Sequence, residues 1–419
     1  MTFLMLAIFL ILLVMAMPVG FALVISSGIA VITVGGMPSV VGVVKLFQPT
    51  QSFPLLAIPF FILSGNIMMG GVLGKKLIEF ATALVGRYHG GLGQVSVVGC
   101  TIFGGVSGSA VAEASALGSM IIPWQKRVGY PPAFGAASIA SSSVIAGLIP
   151  PSIPLILYAS VANESIASLF LAGVLPGLIL CAGFMVVCYF SGRLRKFPRL
   201  AQGLTYKDVL RTTVVALPAL IMPVFILVLL RAGIATPTEV SVVAVAYGFI
   251  VSAAVYRDLS VKRVYDALVN TAVTTGVVML VIAASNLVGY VLIMEDIPNM
   301  AAKWVMEVLK SPELVILMMN VIMLIVGMFL DLPAAILLLG PTFVAMAHEI
   351  GLNTVQLGII MAINLSIGLF TPPVGTTLFI SAAISKERVG SIVKELWPFY
   401  AVAILVLGLF SYVPVLTLY

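Results

Sequence analysis

The sequence predicts an all-α polytopic membrane protein built from inverted-topology repeats, with two re-entrant helical hairpins and two Pro-Pro broken helices. Three observations carry this. The 419 residues are 61% hydrophobic and 9% charged, with a mean hydropathy of +1.22, far from the composition of a soluble domain. Apolar runs of spanning length, about 20 residues each, recur along the chain, and no alternating ten-residue strand pattern competes. Two double prolines, in "GLIPPSIP" (147–154) and "GLFTPPVG" (368–375), interrupt such runs at an offset of 222 residues (372 − 150).

Residues 1–53 form an N-terminal scaffold region. Its first apolar stretch runs to about Val34 without a basic leading segment, so it reads as retained membrane sequence, one tilted helix or two crossings, rather than a cleaved signal peptide. The first repeat is expected at 54–190, with a hairpin at 92–122 and a broken helix at 132–160. A basic cytoplasmic loop and two scaffold helices fill 191–275. The second repeat is expected at 276–419, with a hairpin at 313–348 and a broken helix at 357–384. Superposing the double prolines also places Gly105 on Gly327, Gly118 on Gly340, Gly129 on Gly351 and Pro176 on Pro398, the kind of internal period that marks a repeat.

Basic residues set the orientation. The clusters "SGRLRKFPRLAQGLTYKDVLR" (191–211) and "YRDLSVKR" (256–263) flank two apolar spans, so both lie on the cytoplasmic side. The loop holding Asn163 and Glu164 has no lysine or arginine, and "EDIPNMAAKWVMEVLKSPE" sets its acids against Lys303 and Lys310; both are expected outside. Five crossings then separate the repeat starts, near 54–73, 132–160, 168–190, 212–230 and 235–255. An odd number inverts the second copy, provided that 92–122 and 313–348 are re-entrant around "GGVSGSA" and "DLP". The stretches from Lys75 and from Pro298 read as helices lying in the interface.

A Pro-Pro pair removes two backbone donors and strains the turn before it. The carbonyls released this way need protein, water or an ion within the hydrocarbon, and matched breaks in inverted repeats point to a midplane binding site. Oxygen donors suited to a hard cation lie around the breaks: Ser107, Ser109, Ser141, Ser142, Ser143, Asn364, Ser366, Thr371, Thr376 and Thr377. The same small residues also let helices approach closely. Of the acids near the hairpin tips, Glu113 and Asp331, the second is favoured because it sits at the tip; the competing role is an N-cap for the helix begun at Pro333. Cys100, Cys181 and Cys188 lie in apolar sequence without metal or disulfide spacing. His89 and His348 fall at helix ends. No phosphate-binding "GxxxxGK[ST]" loop is present, and nothing points to nucleic acid, to an enzyme or to a mere scaffold.

The stretches "PFFILSGNIMMGG", "FGGVSGSAVAEASALGSMIIP", "GYPPAFGAASIASSSVIAGLIPPSIPLILYA" and "NLSIGLFTPPVGTTLF" resemble the large membrane subunit of tripartite ATP-independent periplasmic (TRAP) transporters, from end to end and in order. The resemblance implies a sodium-coupled importer of an organic acid in the bacterial inner membrane, working as an elevator. It also implies two partners, a small four-helix membrane subunit and a periplasmic substrate-binding protein, the small subunit being a separate polypeptide here. By position, one Na+ site is expected from Ser107, Gly108 and Ser109 with Gly147 to Pro150, and another from Asp331 with Gly368 to Thr371. Substrate contacts are expected from Ser142, Ser143, Asn364 and Thr376. A stand-alone sodium- or proton-coupled carboxylate carrier is the alternative.

Overall fold

The structure, a computed structural model, describes residues 1–15, 17–33, 38–69, 71–199, 206–309 and 311–417. Val34, Gly70, residues 200–205 of the basic cluster and Lys310 lie outside them. Among the described residues there are nineteen α-helices and no strand.

The N-terminal stretch is two helices, α1 (Thr2–Val14) and α2 (Val19–Thr33). Pro18 separates them, since proline cannot donate inside a helix but is well placed at its start. Next come α3 (Ser39–Phe47), α4 (Ala57–Met69) and α5 (Val72–Val85). Two 3₁₀ turns with Pro49 and Pro54 at their first positions join α3 to α4, and the chain bends there by 61°. The span expected at 54–73 is therefore the second limb of a bent element.

The first hairpin is α6 (Gly91–Ser107) and α7 (Ala110–Val128). Gln125, near the end of α7, donates from Nε2 to Leu92 O and Ser96 Oγ, both at 3.0 Å, so the arms run antiparallel. The first broken helix is α8 (Pro132–Ser142), a 3₁₀ turn Ser143–Gly147, and α9 (Ile153–Ala162). Then follow α10 (Ile166–Leu194), α11 (Tyr206–Arg231), α12 (Pro237–Ile250), α13 (Val261–Met294) and α14 (Ile297–Leu309). The second hairpin is α15 (Pro312–Gly327) with α16 (Leu332–Ile350), and the second broken helix is α17 (Thr354–Leu369) with α18 (Thr376–Ser385), before the closing α19 (Val389–Tyr412).

Six helical segments among the described residues have the length and composition to cross a membrane: α10, α11 from Val209, α12 extended to Val255, α13, α16 and α19. The bent pair from Val40 to Met69 would make a seventh. At 19 residues, α7 and α16 are longer than the half-helices read from the sequence. Pro123 and Pro341 lie inside them without ending them. The boundaries drawn at 190 and 275 fall within α10 and α13, which run through uninterrupted. Helix ends recur at the expected offset: α16 begins and stops 222 residues after α7 (332 − 110; 350 − 128), and α17 begins 222 after α8 (354 − 132). Gly129 and Gly351 close the two long arms in left-handed conformations, and both Pro-Pro bonds are cis.

Packing crosses between the halves. Helix α7 lies against α8 and α18, α16 against α9 and α17, and α15 against α17. Around them α2 packs on α13, and α4 on α12 and α13. Arg263 fixes the peripheral junction ahead of α5. Its Nη2 donates to Ile67 O at 2.5 Å and its Nη1 to Asp258 Oδ2 at 2.6 Å, while Asp258 Oδ2 also accepts from Val72 N at 2.6 Å. Cys100 and Cys188 are buried.

Close helix contact requires glycine at Gly368, where a Cβ would lie 2.3 Å from the carbonyl carbon of Gly327. Gly368→Ala is therefore expected to destabilise the protein by at least the roughly 1–3 kcal/mol of an overpacked core, read as a drop in thermal unfolding temperature in detergent. Gly390→Ala, with nothing within 4 Å of the new methyl, is expected to leave that temperature unchanged.

Candidate functional site

The site is where hairpin tips meet helix breaks. In the first half the chain turns between α6 and α7 at Gly108, whose φ of +61° is left-handed, and Ser109 caps α7 by accepting from Ala112 N at 3.4 Å. A Cβ at Gly108 would stand 2.1 Å from Pro151 O. The tip is thus pressed backbone to backbone against the Pro-Pro break, which only glycine permits. Behind it, Ser107 Oγ accepts from Ser109 N at 3.3 Å and donates to Glu113 Oε1 at 2.8 Å. At the break Ser152 Oγ donates to Gly147 O at 2.6 Å and accepts from Leu155 N, so one side chain both satisfies a released carbonyl and starts α9.

The second half repeats the arrangement with different residues. Val374 N donates to Met328 O at 3.2 Å, joining the second break to the second tip. Thr371 Oγ1 donates to Ile367 O at 2.6 Å, and Tyr400 Oη donates to Phe370 O at 2.7 Å while its ring stacks on Phe370 at 5.1 Å. Tyr158 on α9 donates to Thr354 O at 2.6 Å, fastening the first broken helix to the start of the second.

The two breaks also touch each other. A Cβ on Gly147 would lie 3.0 Å from Ser366 Oγ and 3.9 Å from Leu332. Thr377 Oγ1 is within hydrogen-bond reach of Ala140 O, at 3.0 Å, and Leu369 O, at 2.9 Å, and links α18 to α8. On these segments the side-chain oxygens of Ser142, Ser366, Thr376 and Ser381 and Oδ1 of Asn364 are buried without a hydrogen-bond partner. Buried polar atoms are nearly always paired, so such a group of orphans points to something the protein alone does not supply.

Residues 6–416 of the 419 match the family model described as "Tripartite ATP-independent periplasmic transporter, DctM component". The chain belongs to the DctM family of TRAP transporters. It is 50% identical over its full length to the uncharacterized protein y4mL of Sinorhizobium fredii, covering all of that chain as well. It is 38% identical over 375 residues to the C4-dicarboxylate TRAP transporter large permease protein DctM of Pseudomonas aeruginosa, covering 90% of this chain and 88% of that one. The YdaH transporter of Alcanivorax borkumensis, a structure of unusual topology, superposes with a TM-score of 0.62 at 14% identity, covering 88% of this chain and 86% of that one; this likeness is one of fold. The family is one of transport permeases and not of enzymes, and its members are inner-membrane proteins.

Of the first expected cation set, Gly108 stands against Pro151 O, just past the Gly147 to Pro150 segment, while Ser107 bonds Glu113 and Ser109 caps α7. Gly368 meets Gly327 beside the tip of the second hairpin, and Thr371 bonds within its own helix end. Asp331 stands at the N-cap of α16, exposed, and its side chain caps nothing. Glu113, the less favoured acid in the sequence, is the one fully buried, with Oε2 unpaired. Ser143 donates to Ala140 O at 3.2 Å, and Asn364 Nδ2 to Asn320 O and Oδ1 at 3.0 and 2.8 Å, so the amide of Asn364 holds α17 to α15. Sequence reasoning missed Ser381 and Asn320. Ser381 lies one turn beyond Thr377 on the same face of α18; Asn320 is the lone amide in an otherwise apolar α15.

Because Ser107 is, among the described residues, the one hydrogen-bond partner of the buried Glu113 side chain, Ser107→Ala is expected to cost roughly 1–3 kcal/mol, the range for orphaning a buried acceptor. Glu113→Gln keeps an acceptor for Ser107 and removes the buried charge, so it is expected to cost less. Unfolding in detergent that gave the reverse order would show that the charge itself holds the hairpin.

Proposed function

We propose that this permease is the translocating subunit of a sodium-coupled importer of an organic acid, a dicarboxylate, sugar acid or similar carboxylate. A periplasmic binding protein delivers the substrate, and a small four-helix membrane subunit completes the scaffold. The observation that carries the reading is the meeting of the two breaks, Gly147 against Ser366 and Thr377 against Ala140, in the midst of unpartnered buried oxygens.

Each partner of the transport cycle has a chemical counterpart there. Hydroxyl and carbonyl oxygens are hard donors of the kind that take sodium at broken helices, and half-helix N-termini favour an anionic group. Ser107, Gly108, Ser109, Gly147 and Pro150 would provide the first cation position. Asp331, Gly368 and Thr371 would provide the second, with Asp331 exposed at its tip and therefore reachable. Ser142, Ser143, Asn364 and Thr376 would face the carboxylate, joined by Ser366 and Ser381. The relative known as a C4-dicarboxylate permease supports a carboxylate as cargo.

The recurrence of helix ends 222 residues apart (332 − 110) supports a repeat, which is inverted in our reading. In that reading the hairpins and broken helices move as one body. The bent α3–α4 element with α11, α12 and α13 stays in place as the scaffold, which is the elevator arrangement.

The test is uptake of a radiolabelled organic-acid panel into proteoliposomes holding this chain and its co-purifying small subunit. Uptake is expected only with an inward sodium gradient and the cognate binding protein. Ser366→Ala is expected to raise the substrate concentration for half-maximal uptake about fivefold, the equivalent of one lost hydrogen bond near 1 kcal/mol. Uptake by this chain alone, or driven by protons without sodium, would instead establish a stand-alone carrier.

A further inference from the structure

A second concave site lies apart from the breaks. A cavity of about 810 Å³ opens between α5, the distal half of α7 and the first turns of α11. Lys75, Lys76, Arg127 and Arg211 line it against one acid, Glu79. Glu79 is taken by Lys76 at 2.8 Å. Lys75, Arg127 and Arg211 are exposed, and none has a carboxylate within ion-pairing distance among the described residues. The rest of the lining is apolar at Ile78, Met120 and Trp124. Positive charge beside an apolar wall, in a membrane protein, has the polarity of one ligand class.

We propose that this cavity holds an anionic phospholipid, its phosphate between Lys75, Arg127 and Arg211 and an acyl chain along Met120 and Trp124. Basic pockets between membrane helices on the cytoplasmic side suit such headgroups, each cation near the surface contributing about 1 kcal/mol. The apolar wall argues for a lipid over a free anion, since a soluble phosphate would leave it uncovered.

The other half of the chain offers an internal comparison. A smaller cavity of about 270 Å³ lies against the start of α14 and against α16, the counterparts of α5 and α7, and is lined by Asp296, Pro298, Asn299, Pro341 and Val344 among others, with no lysine or arginine among its described lining residues. The two cavities thus differ in charge, and only the first suits an anionic headgroup. The bound lipid would bridge α5, whose start is held by the Asp258–Arg263 pair, to the hairpin arm α7.

The experiment is native mass spectrometry of the purified full chain in neutral detergent with dioleoylphosphatidylglycerol, or dioleoylphosphatidylethanolamine at equal mole fraction. Phosphatidylglycerol is expected to stay bound preferentially, and the K75Q/R127Q/R211Q variant to bind it roughly a hundredfold more weakly. A K262Q/K394Q variant, which removes cations outside the cavity, is expected to retain it. The single variants R211Q and K75Q, each at an exposed residue, are expected to bind it roughly fivefold more weakly and give the answer if the triple variant misfolds. Equal retention of the two lipids, unchanged retention in the variants, or full displacement by soluble glycerophosphoglycerol would each overturn the proposal, the last by showing a free-anion site.

Discussion

Backbone polar groups have no water to turn to inside a bilayer, and this constraint governs the rest of the structure. Two Pro-Pro pairs open the helical ladder at 150–151 and 372–373. Every carbonyl released there has to be met by something nearby. Ser152 meets Gly147 O, Tyr400 meets Phe370 O, and Thr377 reaches Leu369 O. The first break is accordingly buried against the first hairpin tip, and the second, with Pro373 and Val374 exposed, is joined to its hairpin through Met328 O.

That requirement explains the glycines and the small side chains together. The tip at Gly108 touches Pro151 O, and Gly368 touches Gly327, at distances no Cβ would allow. Serines and threonines around these contacts serve as internal solvent for the broken backbone. Where they exceed the carbonyls available, at Ser142, Ser366, Thr376 and Ser381, their oxygens are left without a partner. The same small polar residues thus stabilise the breaks and create the candidate site, so packing and binding are not separable alternatives here.

Much of this was legible in the sequence. Hydropathy and the double prolines announced the helical membrane class, the positions of both hairpins and the sites of both breaks, because apolar periodicity and missing backbone donors are local properties. Helix ends were less legible. Pro18 divides 2–34 into two helices, while Pro123 and Pro341 leave α7 and α16 intact. The repeat boundaries drawn at 190 and 275 fall within α10 and α13, which are continuous helices.

The site residues divide along the same line. Sequence alone determined which residues could matter, since a serine, acid or glycine beside a helix break is visible by spacing. It favoured Asp331 over Glu113 because nearness to the tip was the available measure. The tertiary structure decided which of them face one another: it buried Glu113 behind Ser107, left Asp331 exposed, turned Asn364 toward Asn320 and brought Ser366 to Gly147. It also gathered Lys75, Arg127 and Arg211, which are far apart in the chain, around one cavity. Periodicity and backbone chemistry act over a few residues, whereas burial and partnership depend on helices that meet only after the chain has crossed the membrane several times.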